Sequence, residues 1–229
     1  MMAFLIAASL GLLGLVVYFS PVLWRYSRMY VIRTEMTRDR ILALTFDDGP
    51  SETLTPRLLD LLRKYDATAT FFMLGRNARQ FPHIAERVLQ EGHDIGCHSD
   101  QHLNAWKTLP WRATSDINAG YKTLSSWIPS NAMFRPPHGK ITLPTYLAIR
   151  QRRASVWWWT IDSGDSHSQM PETGQVLEAV RRQNGGIVLL HDLDRSTERD
   201  EFVYETAAAL LELAKRESLK ITPLSKLCR

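Results

Sequence analysis

From Ile41 onward the chain alternates short apolar, β-rich runs with segments of helical period, and this alternation restricts the fold more than any other feature. The runs are Ile41–Asp47, Ala67–Leu74, His93–His98, Met133–Pro136, Ser155–Asp162, Gly186–His191 and Leu219–Pro223. Between them, Leu54, Leu58, Leu61, Leu62 and Tyr65 form one apolar stripe, and Ile84, Val88 and Leu89 form another. Further helical patterns cover Arg112–Trp127, Leu143–Gln151, Gly174–Gln183 and Glu201–Glu217. Strand alternating with helix implies parallel strands joined by right-handed crossovers. Seven strands within about 190 residues suit a small, incomplete βα barrel better than an open nucleotide-binding sheet. No GxGxxG or GxxxxGK[ST] follows any strand, so a phosphate-cradling loop is not indicated.

Residues 41–229 are therefore expected to form one domain, preceded by two other segments. Met1 to Trp24 carries no charged side chain, and 24 helical residues would span roughly 36 Å, enough for a bilayer core of about 30 Å. Tyr18, Trp24 and Tyr26 lie where interfacial aromatics sit. No basic residue precedes the run, and Phe19-Ser20-Pro21 is a poor cleavage site. The reading is an uncleaved, single-pass transmembrane anchor over residues 1–24, then a basic juxtamembrane linker over 25–40. Residues 1–40 hold five Arg against Glu35 and Asp39, a balance of +3 out of the whole chain's +4. The domain itself is nearly neutral, so no nucleic-acid-binding face is expected. Cys97 and Cys228 make neither a disulfide framework nor a CxxC zinc motif.

Polar residues recur where the apolar runs stop, and in parallel α/β folds ligands bind at those strand ends. The first run ends on Asp47-Asp48-Gly49-Pro50. Adjacent carboxylates repel unless a cation or a proton separates them; the alternative is an acidic turn. The third run ends on His98, with His102 four residues on. Asp48, His98 and His102 together would supply one oxygen and two nitrogens, the composition of a catalytic rather than a closed structural metal site. Arg135 precedes Pro136-Pro137-His138-Gly139, and reads either as a surface Arg on a rigid loop or as an Arg held inward against a carboxylate. The triplet Trp157-Trp158-Trp159 reads as packing before it reads as a sugar platform. Another run ends at His191.

Thr45-Phe46-Asp47-Asp48-Gly49-Pro50, His98-Ser99-x-x-His102, Arg135-x-Pro137-x-Gly139, Asp162-x-x-Asp165 and Leu189-x-His191 stand in the order of the five motifs of polysaccharide deacetylases, carbohydrate esterase family 4. The resemblance covers about residues 41–224. It implies a distorted (β/α)7 barrel and metal-dependent hydrolysis of N-acetyl or related N-acyl groups on amino sugars. It further implies Asp47 as general base, Arg135 as its orienting partner, and His191 as general acid partnered by Asp165. Asp48, His98 and His102 would hold a divalent metal, zinc first, with cobalt, nickel or manganese as alternatives. In the substrate site, the His138 N–H would help hold the oxyanion within the turn Pro137-His138-Gly139, and Leu189 would meet the acetyl methyl. Where the family has a Trp after the second Asp of its fourth motif, this chain has Ser166, unless Trp106 or Trp111 supplies that wall. Three readings stay open: a deacetylase of an N-acetylated polymer, a deacylase of a lipid-linked sugar, and a catalytically silent carbohydrate-binding protein. The arginines after the apolar run point the domain to the cytoplasm, whereas the resemblance points outside.

Overall fold

The computed structural model describes residues 2–227, with the backbone alone for 2–8 and for 10. Met1 of the expected anchor and Cys228 and Arg229 of the expected domain lie outside the described residues. Two helices come first, α1 (Met2–Phe19) and α2 (Pro21–Arg38). There follow β1 (Ile41–Asp47), α3 (Leu54–Lys64), β2 (Thr70–Met73), α4 (Gly75–Gln80), α5 (Pro82–Gln90), β3 (Asp94–Cys97), α6 (Pro110–Leu124) and α7 (Leu143–Gln151). The chain ends with β4 (Ile161–Asp162), α8 (Thr173–Gln183), β5 (Gly186–His191), α9 (Thr197–Glu217) and β6 (Lys220–Ile221). Among the described residues all strand pairing is parallel, in the order β3-β2-β1-β5-β4, with β6 against the first two residues of β1. This is a parallel α/β sheet consistent with the expected barrel.

The two outer parts of the sheet meet through one segment. Beyond β3, Cys97 bridges to Phe134 and Phe134 to Val156. Five residues later the same segment, now β4, pairs with β5 on the other side. Residues 155–162 thus serve both sides of the seam, so this run appears as a bridge and a two-residue strand rather than one continuous strand.

β1 is buried along its whole length, and its alternate residues enter two cores, as a period-two strand dictates. Leu42, Leu44 and Phe46 pack outward with Leu58, Leu62, Val203 and Leu210 of α3 and α9. Ile41 and Ala43 pack with Phe72, Met133, Trp157 and Ile187 inside the barrel. Thr45 and Asp47 continue that inner row upward, so the buried carboxylate is a consequence of register.

The N-terminus requires a correction. Among the described residues no helix is long and apolar enough to cross a membrane, which overturns the expected transmembrane helix, its membrane partner and the single-pass location. The uncharged run does not continue as one helix. α1 stops at Phe19 after 18 residues, about 27 Å of rise against a core of about 30 Å. Ser20 Oγ donates back to the Val17 carbonyl, and Pro21 starts α2. Residues 21–24 are then used against the domain: Pro21 is buried, and Trp24 packs on Tyr146 and Trp158. The segment expected as a linker is helical to Arg38; Ile32 and Met36 bury into the inner core, and Thr37 Oγ1 donates to the Gln183 carbonyl.

Candidate active site

The carboxyl ends of β1, β3 and β5 surround a groove of about 460 Å³ lined by Asp47, Asp48, His98, His102, His138 and His191, among others. In the β1–β5 register Asp47 stands opposite His191, and Thr45 opposite Leu189. Two of the groups expected to do chemistry are therefore neighbours across one strand pair.

Asp47 is 2% exposed. Its Oδ1 accepts a 2.7 Å bond from Nη1 of Arg135, which also donates to Thr45 Oγ1 at 2.8 Å. The Arg135 side chain is fully buried inside the barrel, its guanidinium 4.2 Å from the centroid of Phe72. The surface alternative for Arg135 is thereby excluded. Burial pushes the Asp47 carboxyl up, while the charges of Arg135 and His191 and the Arg135 hydrogen bond oppose that rise.

Asp48 adopts φ 75°, which turns its side chain away from that of Asp47 toward the two histidines. Its Oδ1 lies 3.5 Å from His98 Nε2 and 3.3 Å from His102 Nε2. His98 Nδ1 lies 2.7 Å from the Arg135 carbonyl, which can only accept, so the proton sits on Nδ1 and the Nε2 lone pair faces Asp48. Burial, with lesser contributions from neighbouring charges, holds the His98 pKa down to about 3, so the ring is neutral. Asp48 Oδ1 is buried and has no hydrogen-bond partner among the described residues. An orphaned carboxylate oxygen facing two imidazole nitrogens, all within 4.8 Å of one another, fits a divalent cation, which converts their repulsion into ligation.

The His98–His102 stretch is a tight turn, not a helix. Ser99 and His102 take φ 69° and 63°. Asp116 of α6 holds the turn, its two carboxylate oxygens accepting from the backbone N–H groups of Gln101 and Leu103. Gly120, one turn along α6, leaves room for Ser99; a β-carbon there would lie 2.5 Å from its carbonyl carbon.

On the other side of the groove, Asp165 is fully buried and grips His191 twice, through Nδ1 at 2.7 Å and the backbone N–H at 2.9 Å. Burial favours the neutral imidazole. The hydrogen bond and charge of Asp165, with the charges of Asp47 and Asp48, outweigh it and push the His191 pKa up to about 9. His191 is therefore protonated at neutral pH.

His138 and Leu189 line the groove, while Pro137 and Gly139 do not and instead form the buried back of the His138 turn. Ser166 lines the groove as well, and the indole that lines it with Ser166 is that of Trp159. Trp106 and Trp111 do not line it, and Trp106 Nε1 donates to the Ile141 carbonyl. The triplet divides accordingly: Trp157 and Trp158 are buried packing, and Trp159 reaches the groove.

Besides Asp116, sequence reasoning missed two more fastening carboxylates. Asp192 is buried, accepts from the Gly49 N–H at 3.0 Å and from Thr55 Oγ1 at 2.8 Å, and fixes the turn after Asp48. Asp194 accepts from the backbone N–H groups of Thr53 and Leu54 and so caps α3. The signal available was His191-Asp192 itself, a second acid beside a strand-end histidine. Arg195, also on the groove, carried no motif.

Comparison with known proteins gives a consistent picture. A family model described as polysaccharide deacetylase matches residues 34–157. A peptidoglycan-N-acetylglucosamine deacetylase of Bacillus cereus is 35% identical over 202 residues, covering 87% of this chain and 93% of that protein. The peptidoglycan-N-acetylglucosamine deacetylase PgdA of Listeria monocytogenes is 34% identical over 161 residues, 68% of this chain but only 33% of the longer protein. Among solved structures, the Bc1960 peptidoglycan N-acetylglucosamine deacetylase in complex with a naphthyl-substituted N-hydroxybenzamide superposes with TM-score 0.73 at 27% identity, over 82% of this chain and 87% of that one.

Proposed function

The chain belongs to the polysaccharide deacetylase family, and from that premise we propose that it removes N-acetyl groups from amino sugars of a peptidoglycan-like or chitin-like glycan. A divalent metal, zinc as the first candidate, would be held by Asp48, His98 and His102. The observation that carries this reading is the placement of an Asp48–His98–His102 cluster between two differently tuned proton carriers, Asp47 held by Arg135 and His191 held by Asp165.

When bound, the metal supplies Lewis acidity, making water a stronger acid and polarising the amide carbonyl. The protein's own groups do the rest. Asp47 takes the proton of the attacking water. Arg135 keeps the carboxylate aimed at the groove and opposes the rise in its pKa that burial causes. His191 is protonated at neutral pH, and it delivers that proton to the departing nitrogen, which cannot leave as an amide anion. The His138 backbone N–H donates to the oxyanion, a contribution typically worth about 10²–10³ in rate. Leu189, opposite Thr45 at the groove floor, receives the acetyl methyl.

The test is incubation with N-acetylglucosamine oligomers and with peptidoglycan fragments, followed by mass spectrometry and acetate assay. Products lacking one or more acetyl groups, with matching free acetate, support the reading. Intact glycans in the presence of added zinc, cobalt, nickel and manganese would reject it.

A further inference from the structure

We propose that α2 is a working part of the substrate groove, with Arg25 as a positioning residue that sets both the His138 turn and the Trp159 indole. The inference rests on the groove being the glycan site. It begins from where α2 lies: its Pro21, Ile32 and Met36 are buried against the domain, and its first turn reaches the back of the His138 turn. From there Arg25 Nη1 donates a 3.0 Å hydrogen bond to the Gly139 carbonyl, 114 residues away in sequence. The same carbonyl accepts from Trp158 Nε1 at 3.3 Å. The guanidinium lies 5.7 Å from the Trp158 ring centroid and 5.5 Å from that of Trp159, within range of a cation–π interaction with each.

The group it holds needs holding. His138 and Gly139 adopt φ 55° and 66° in succession, and a left-handed conformation is unfavourable for histidine. A β-carbon on Gly139 would sit 3.0 Å from the Trp159 ring edge and 3.1 Å from Arg25 Nη1, so turn, indole and guanidinium are in mutual contact with no slack. The two groups on the far side of that contact, His138 and Trp159, both line the groove, and the His138 ring is 4.3 Å from that of His102. Arg25 forms no ion pair among the described residues, and burial pulls its pKa down. A half-buried cation without a carboxylate is an expensive way to dock a helix that Pro21, Trp24, Ile32 and Met36 already dock. Its bonds go to the groove's supports instead.

The test uses the full chain and the variants Arg25→Gln and Arg25→Lys, with two readouts. The first needs no turnover: histidine ring NMR, with the His138 signal identified by its loss in His138→Ala. In Arg25→Gln the His138 signal should move while that of His93, which packs on Phe71, stays; Arg25→Lys, which keeps a donor and the charge, should move it less. The second is kinetics on an N-acetylated chito-oligosaccharide. kcat/KM should fall about tenfold in Arg25→Gln, the scale of one lost charge-assisted hydrogen bond, with kcat carrying part of the fall because the turn bears the oxyanion donor, and Arg25→Lys should recover part of it. A His138 signal that does not move, His93 moving with it, or an unchanged kcat/KM would overturn the inference. Absence of turnover in the wild type would count against the deacetylase reading alone, and the NMR result would still decide this one.

Discussion

Replacing Asp165 with Asn isolates what the buried carboxylate does for His191. Asn keeps an oxygen to accept the His191 backbone N–H and nearly the same volume, but removes the charge. In the wild type, Asp165, with lesser help from the charges of Asp47 and Asp48, outweighs the effect of burial and lifts the His191 pKa from 6.5 to about 9. Without it the largest contribution opposing burial is lost, and the pKa should fall toward the ordinary 6.5. At pH 8 the protonated fraction is then about 0.9 in the wild type and about 0.03 in the variant, a roughly 30-fold loss of the acid form. At pH 6 the same calculation gives about 1.0 against about 0.8, and the deficit nearly closes. The assay is a pH–rate profile on N-acetylglucosamine oligomers, with NMR titration of the His191 ring as an independent reading. A basic limb that stays near 9 in Asp165→Asn, or a deficit independent of pH, would refute the assignment of His191 as the acid tuned by Asp165.

Other outcomes follow from the same geometry. Because the His191 pKa is raised on folding from 6.5 to about 9, its contribution to stability is complete below about 6.5 and is lost as pH rises through about 9; urea unfolding should record a loss of about 3 kcal/mol across that window that Asp165→Asn lacks. Arg135→Met should strand the buried Asp47 carboxylate, costing about 3–5 kcal/mol in urea unfolding and moving the acid limb of activity upward; Asp47→Asn in the same background should recover part of that stability. Asp47→Asn alone should bind metal normally by titration calorimetry yet lose about 10²–10⁴ in kcat. Gly49→Ala should place a β-carbon 2.0 Å from an Asp192 carboxylate oxygen, lowering both thermal stability and metal affinity because the turn carrying Asp48 must shift.

The sheet was legible in the sequence because strands buried on both faces are short apolar runs, and their polar ends mark the groove. Asp47, Asp48, His98, His102 and His191 could be found that way. Asp116 could not, because it is defined by the backbone N–H groups it meets, from a segment 15 residues distant; Asp192 stands at a strand end, but the Gly49 N–H that gives it its role is 143 residues away. The short helix α4, six residues long, falls below any periodic signal. The run 155–162 reads as one strand since pattern alone does not tell which partner each half meets. The first 24 residues misled for a related reason. Absence of charge is compatible with one continuous apolar helix, but Ser20-Pro21 break the run, and Trp24 and Arg25 are committed to Tyr146, Trp158 and Gly139.

The central claim is that Asp48, His98 and His102 hold a metal without which the N-acetyl amide is not hydrolysed. Its most direct test is acetate release from an N-acetylglucosamine oligomer by wild type and His98→Ala, each assayed after chelation and again after zinc is returned. The account expects the chelated wild type to be silent, zinc to restore it, and His98→Ala to remain folded by circular dichroism but silent in both conditions. Acetate released at the full rate by the chelated wild type, or by His98→Ala, would contradict it.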